Sequence, residues 1–126
     1  MKRLLVDTNV VIWMLAGNQR RVSKVARKAL EDDRQSILVS AVTVWEIATK
    51  RSLGKLRAPH GWAQTLPRIG LEPLPVTALH AEAVEHLPWH HRDPFDRLLI
   101  AQATVEEIAL VSADTQLSAY DVDVVW

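Results

Sequence analysis

A three-layer α/β/α domain with a mostly parallel central sheet is the fold class that the sequence predicts, and three observations carry it. The strand candidates at 4–6, 37–40 and 110–112 are short, nearly continuous apolar runs rather than alternating ones, as strands buried on both faces are. Segments of helical periodicity lie between them, and alternating strands and helices favour crossover connections and parallel pairing. At 126 residues and 48% hydrophobic, the chain suits one domain that buries roughly two thirds of its unfolded surface. Residues 1–126 show no repeat, linker or low-complexity tract and read as one unit.

The elements follow in order. Leu4, Leu5 and Val6 read as a buried strand, which leads into an apolar stretch over 10–15 that Gly17 and Asn18 stop. Val22, Val25, Ala26, Ala29 and Leu30 have amphipathic-helix spacing, with Lys24, Arg27, Lys28 and Glu31 on the wet side. Residues 37–40 form a second buried strand, and 42–53 a helix carrying Trp45, Glu46 and Lys50 that Gly54 ends. Pro59 and Gly61 frame a loop before a short helix over 62–69. Residues 71–76 are extended, but Pro73 and Pro75 confine them to a sheet edge or a loop, because proline donates nothing to a ladder. Thr77 is a candidate N-cap for a helix with Leu79, Ala83, Val84 and Leu87 on its inner side. After a loop at 88–92, a helix over 94–107 is apolar nearly all round, which places it centrally. Residues 110–112 and 122–126 are the last strands.

Composition excludes several classes of function. There are no cysteines, so disulfides, zinc–thiolate sites and thiol catalysis are out. The start at Met1 briefly imitates a signal peptide, but Asp7 and Asn9 interrupt the apolar run too early. No stretch approaches the ~20 apolar residues of a membrane span, so the expectation is a cytoplasmic protein without a membrane partner. The formal net charge of zero hides an asymmetry: residues 1–60 hold twelve Lys and Arg against five acids, and residues 61–126 hold three against ten. A neutral total is therefore compatible with a basic face for a polyanion.

Four acids carry the chemistry. Asp7 closes the first strand, Glu46 follows the second, Asp96 opens the apolar helix and Asp114 closes the run Leu110, Val111, Ser112. In an open parallel sheet such strand ends lie along one edge. Each acid also has a bland explanation. Asp7 and Asp114 suit N-caps, Asp93 with Pro94 and Asp96 suits a helix start, and Glu46 suits a pair with Lys50 four residues on. Independent caps have no reason to converge, however, whereas a metal site requires it. Two carboxylates about 4 Å apart repel by roughly 4 kcal/mol at an effective dielectric near 20. Oxygen ligands without cysteine suit Mg²⁺ or Mn²⁺ rather than zinc, and Mg²⁺ favours phosphate oxygens, so a phosphodiester or phosphate ester is the substrate class.

The segments Leu5 to Asn9, Ser40 to Ile47, His91 to Ala103 and Val111 to Asp114 resemble the four motifs of PIN-domain nucleases. The similarity runs from Leu4 to the terminal Val124-Val125-Trp126 and is nearest to VapC-type toxins of bacterial toxin–antitoxin pairs. It implies a PIN-like fold and a metal-dependent endoribonuclease, with Asp7, Glu46, Asp96 and Asp114 as the catalytic and metal-binding acids around one or two Mg²⁺ or Mn²⁺ ions. It further implies Thr8 or Asn9 and Ser112 as polar supports near the metal, and hydrolysis that leaves a 5′-phosphate and a 3′-hydroxyl. A cognate antitoxin protein and a homodimer are implied as partners. Ser112 stands where relatives more often have threonine. Asp93 adds a fifth acid, and Asp96 is preferred as the ligand by its distance from Ala101 and Ala103.

Other residues surround this set. Arg92 and Arg97 flank the metal-binding region and are the choices for phosphate contacts; Arg97 is alternatively the partner of a neighbouring acid. Trp89, His90, His91 and Arg92 mix aromatic and basic side chains, as an RNA contact does, or as a loop does whose Trp89 tucks into the core. His86, His90 and His91 lack the spacing of a dedicated metal site. Trp13, Met14, Leu15 and Trp45 are read near the active edge, as core or as an apolar docking groove. Two further readings stand beside the nuclease. A phosphatase or phosphoryl-accepting domain also ends its first strand in Asp, but Asn9 stands where one large group has a second Asp. A non-catalytic PIN-like domain binding RNA or protein is disfavoured by the presence of all four acids.

Overall fold

The computed structural model describes residues 2–126, with Met1 outside the described residues. Five strands, β1 (Lys2–Val6), β2 (Gln35–Ser40), β3 (Leu71–Leu74), β4 (Ala109–Val111) and β5 (Val124–Val125), form a sheet in the order β3-β2-β1-β4-β5. All four pairings are parallel. The helices are α1 (Thr8–Leu15), α2 (Lys24–Leu30), α3 (Ala41–Ser52), α4 (Trp62–Arg68), α5 (Ala78–Ala83) and α6 (Pro94–Glu106). Short 3₁₀ turns sit at Gln19–Arg21, Val84–His86 and Thr115–Ala119.

Strand side chains alternate between two cores, because successive residues of a strand face opposite sides of the sheet. Leu4, Val6, Ile37, Val39, Leu71 and Val111 pack with Val10 and Val11 of α1, Ala26 of α2, Ile47 of α3 and Leu66 of α4. Leu5, Leu38, Leu74 and Leu110 pack on the other side with Leu99, Ile100 and Ala103 of α6. Both faces of the sheet are covered, which is why these strands read as continuous apolar runs. The edge position of β3 fits its Pro73, which pairs with Val39 on one side only. No described helix is long and apolar enough to cross a membrane.

The structure differs from the sequence reading at α5. Leu79, expected on the inner side, is 63% exposed, and His80 is the residue that α5 buries. The cause is a capping box. Thr77 Oγ1 accepts from the His80 N–H at 3.2 Å, and His80 Nδ1 accepts from the Thr77 N–H at 3.1 Å. His80 Nε2 then lies 2.9 Å from Glu106 Oε2, so each imidazole nitrogen has a partner. Gln102, buried in α6, extends this polar network to Ser40 and to the Pro75 carbonyl.

Strand order places the site. β1 and β4 are neighbours in the sheet although distant in sequence, with Val6 opposite Val111. The chain therefore leaves β1 and β4 side by side at their C-terminal ends and departs in opposite directions, a topological switch point where open α/β sheets bind ligands. Asp7 and Ser112 are the residues next beyond that register pair, and the Asp7 N–H donates to the Val111 carbonyl at 3.0 Å.

Candidate metal centre

Asp7 is held at both oxygens. Its Oδ1 accepts the Val10 N–H at 2.9 Å as the N-cap of α1, and its Oδ2 accepts from the Ser112 hydroxyl. Burial raises its pKa above the usual carboxylate range, opposed by these hydrogen bonds and reinforced by the charges of Asp114 and Glu46. Asp114 divides its oxygens in a similar way. Oδ1 caps the following 3₁₀ turn through Gln116 N–H at 2.9 Å, and Oδ2 lies 3.3 Å from His91 Nε2. The caps inferred from sequence are real, and they orient these carboxylates rather than explain them away.

Glu46 is buried one and a half turns into α3, whose N-cap Ser40 ends β2. Its Oε2 accepts from Lys50 Nζ at 2.7 Å, and its Oε1 is buried with no hydrogen-bond partner among the described residues. Asp93 caps α6, accepting from the Phe95 and Asp96 N–H groups at Oδ1. That leaves the Asp96 side chain one turn along, facing the cluster. Burial, then the charge of Asp93, pushes the Asp96 pKa up to about 6, and Glu46 and Asp7 also raise it. The four acids that sequence singles out are thus brought together closely enough to perturb one another.

His91 joins them; the sequence reads it as an RNA contact or beside His86 and His90, and does not place it among the acids. Its Nε2 lies 3.2 Å from Asp96 Oδ2 and 3.3 Å from Asp114 Oδ2. The three ligand atoms fall within 4.8 Å of one another. His91 Nδ1 accepts the Asp93 N–H at 3.2 Å, so the neutral ring carries its proton on Nε2 and donates towards the carboxylates. In this arrangement His91 is a hydrogen-bond donor to the acids. The available hint was a histidine five residues ahead of Asp96 in a loop closed by the Asp93–Pro94 helix start. His90 instead packs edge-to-face on Tyr120, and His86 lies beside Glu85.

Three of the residues expected to meet substrate, Arg97, Thr8 and Ser112, are buried and bonded within the protein, Ser112 as a support of Asp7 at the site. Arg97 is 3% exposed. Its Nη1 donates to the carbonyls of Pro88 and His91 at 2.9 and 3.3 Å, and its Nη2 to those of Val84 and Leu87 at 3.2 and 3.3 Å. Four terminal donors are used on backbone, so Arg97 ties the 84–91 segment to α6 and is neither a phosphate contact nor an acid's partner. Thr8 is buried with its hydroxyl 3.1 Å from that of Thr43, joining α1 to α3. Ser112 is buried and acts through Asp7, while its Oγ accepts the Asp114 N–H at 3.0 Å. Asn9 and Arg92 are exposed and free to meet a ligand. Trp13, Met14 and Leu15 pack against the core, whereas Trp45 projects from α3 against Phe95.

These donors fit a divalent cation. Asp7, Glu46, Asp96 and Asp114 offer oxygens, one of them at Glu46 a buried orphan among the described residues, and the pKa values of Asp7 and Asp96 are raised first by burial and then by neighbouring carboxylates, charge that a cation would relieve. A stability test follows for the metal-free protein. A carboxyl whose folded pKa lies above its unfolded value destabilises the fold when ionised, so its cost is absent below about pH 4 and fully present above about 6. In EDTA at pH 7, Asp96→Asn is expected to be more stable than the unsubstituted protein by about 2 kcal/mol, after discounting for partial exposure. The gap narrows below about pH 6 and closes only near pH 4, and a divalent cation reverses the order at pH 7. Thermal melts over this range check it; a less stable Asp96→Asn at pH 7 in EDTA would contradict the crowding.

Known proteins bear on the same features. A family model described as PIN domain matches residues 4–123. Ribonuclease VapC16 of Mycobacterium tuberculosis is 43% identical over 58 residues, which are 43% of this chain and 41% of that protein. Among solved structures, VapBC2 from Rickettsia felis bound to a promoter DNA fragment superposes with a TM-score of 0.73 at 14% identity, covering 97% of this chain and 96% of the other. DNA-bound VapBC from Salmonella typhimurium gives 0.69 at 16% identity, covering 98% and 97%. FitAcB from Neisseria gonorrhoeae gives 0.57 at 22% identity, covering 96% and 95%. At these identities the structural matches establish a common fold.

Proposed function

Because the chain belongs to the PIN domain family, we propose that it is a divalent-metal-dependent endoribonuclease, the toxin of a toxin–antitoxin pair. The observation that carries this reading is the convergence of Asp7, Glu46, Asp96 and Asp114 at the switch point of the sheet, with Glu46 Oε1 left unpaired. The partial match to a ribonuclease supports the substrate class. Mg²⁺ or Mn²⁺ is the cofactor, held by the four acids; when bound it supplies an activated water and charge compensation on the phosphate.

The chain's own residues prepare that chemistry. Val10 N–H and Ser112 fix both oxygens of Asp7, so its carboxylate loses little freedom on binding a cation. Lys50 Nζ, 2.7 Å from Glu46 Oε2, offsets part of the charge of Glu46, and that contact raises the Lys50 pKa. His91 places Nε2 between the Asp96 and Asp114 carboxylates, where it can hydrogen-bond to either. Arg92 and Asn9, exposed at the rim, are the candidates for contact with the RNA backbone.

The proposed partners are a cognate antitoxin and a second copy of this chain, in the cytoplasm. A groove of about 690 Å³ between α3, α4 and the edge strand β3 supports partner docking, lined by Val44, Trp45, Leu66, Pro73 and Leu74. The test is induced expression in a bacterium followed by RNA end mapping. The reading expects growth arrest and new 5′-phosphate ends, and in vitro cleavage that EDTA stops and Mg²⁺ or Mn²⁺ restores. Turnover of simple phosphate esters with RNA untouched would replace it by a phosphatase.

A further inference from the structure

Trp89 lies on the surface at 75% exposure, with an apolar ring large enough to seat a planar ligand. It is also held. The Arg97 guanidinium carbon sits 3.7 Å from the centroid of its ring, covering one face. Arg97 is itself buried and anchored by four carbonyls, two of them from Pro88 and Leu87 in the segment that carries Trp89. The indole therefore rests on a fixed support and presents its other face to solvent.

From this geometry we infer that Trp89 is a stacking platform for an unpaired nucleobase of the RNA that enters the site. The inference rests on the ribonuclease reading and names part of how the substrate is held. Position comes first: Trp89 is two residues from His91, which spans at most about 7 Å, and His91 touches both Asp96 and Asp114. A nucleotide next to the cleaved phosphate is within reach of the ring. Arg92, exposed in the same loop, is placed to meet the adjoining backbone.

Chemistry favours a base over other occupants. A flat open face accepts any base, because each has a π-face. The cation beneath draws on the ring's electron density and makes the outer face a poorer seat for a second Lys or Arg, such as a basic protein segment supplies. Double-stranded RNA keeps its bases stacked inside the helix and offers no free face. Trp89 thus selects single-stranded segments, loops or bulges, without choosing among sequences by hydrogen bonding.

The experiment measures cleavage of a single-stranded oligonucleotide by the full chain and by Trp89→Ala and Trp89→Phe, each checked for an unchanged melting temperature. Trp89→Ala is expected to raise KM by roughly 5- to 100-fold with kcat changed much less, and Trp89→Phe to recover most of the loss. Abasic nucleotides are then scanned through the substrate. One position next to the cleaved bond should reproduce the KM increase in the unsubstituted protein and cost nothing further in Trp89→Ala. Unchanged KM in both variants, with cleavage intact, overturns the platform and leaves the nuclease reading standing. A KM unchanged while Trp89→Ala releases a co-purifying antitoxin assigns the ring to a protein interface instead. Absence of RNA cleavage by the unsubstituted protein with Mg²⁺ and Mn²⁺ sinks the nuclease reading, and the platform with it.

Discussion

Asp7→Asn is expected to lower kcat/KM for RNA by about 10³-fold or more while the protein stays folded. The first half follows from charge. A bound cation contributes several kcal/mol to the transition state of phosphodiester hydrolysis, and each 1.36 kcal/mol is tenfold in rate. An amide at this position weakens the cation's hold and removes a negative oxygen from the centre of the cluster. The second half follows from hydrogen bonding. The asparagine Oδ1 can still accept the Val10 N–H that caps α1, and its Nδ2 can donate to Ser112 Oγ, which already accepts from the Asp114 N–H.

Asparagine is also the informative substitution because alanine confuses two effects. Asp7→Ala removes the cap, at about 1 kcal/mol, and leaves the buried Ser112 hydroxyl facing a methyl group with no polar partner at position 7. Burial raises the Asp7 pKa, so replacing the ionised group by a neutral one leaves the metal-free fold at least as stable. The measurements are cleavage kinetics, Mn²⁺ titration calorimetry and a melt in EDTA. Wild-type cleavage by a folded Asp7→Asn would remove Asp7 from the catalytic set and undo the four-acid site.

Sheet and acids were legible in the sequence for one physical reason. A strand buried on both faces has to be apolar throughout, so Asp7 after Val6, and Ser112 and Asp114 after Val111, mark where the chain emerges at the C-terminal edge of the sheet. Buried polar residues were not legible in this way. Arg97, His80, Thr8 and Ser112 look like surface or ligand-facing groups in a string of letters, and are inside because distant segments supply their partners: loop carbonyls, Glu106, Thr43 and Asp7. His91 belongs to the same class. Its approach to Asp114 depends on the 88–92 loop folding back over α6, where Tyr120 Oη accepts the His91 N–H at 2.8 Å. Leu79 shows the converse, an apolar residue at helical spacing that stays outside because the capping box turns His80 inward.

Arg97→Ala is expected to destabilise the fold by about 3–5 kcal/mol, the range for removing one side of a buried charged hydrogen-bond network. The four carbonyls that its guanidinium satisfies lie between Val84 and His91, partly shielded from solvent, and without it they lose the donors that bind this segment to α6. In a domain of this size the loss lowers Tm by roughly 10–20 °C. Arg97→Lys recovers only part of it, since a single ammonium cannot span carbonyls that a planar fork reaches with two nitrogens. A phosphate-binding arginine behaves in the opposite way: its loss leaves Tm unchanged and raises KM with a shallower dependence on salt. Thermal melts beside salt-dependent kinetics separate the two. An unchanged Tm for Arg97→Ala would return Arg97 to the substrate path and take away the support beneath Trp89. A large drop, with cleavage lost because His91 and Trp89 are no longer held, ties the catalytic edge to the stability of one buried cation.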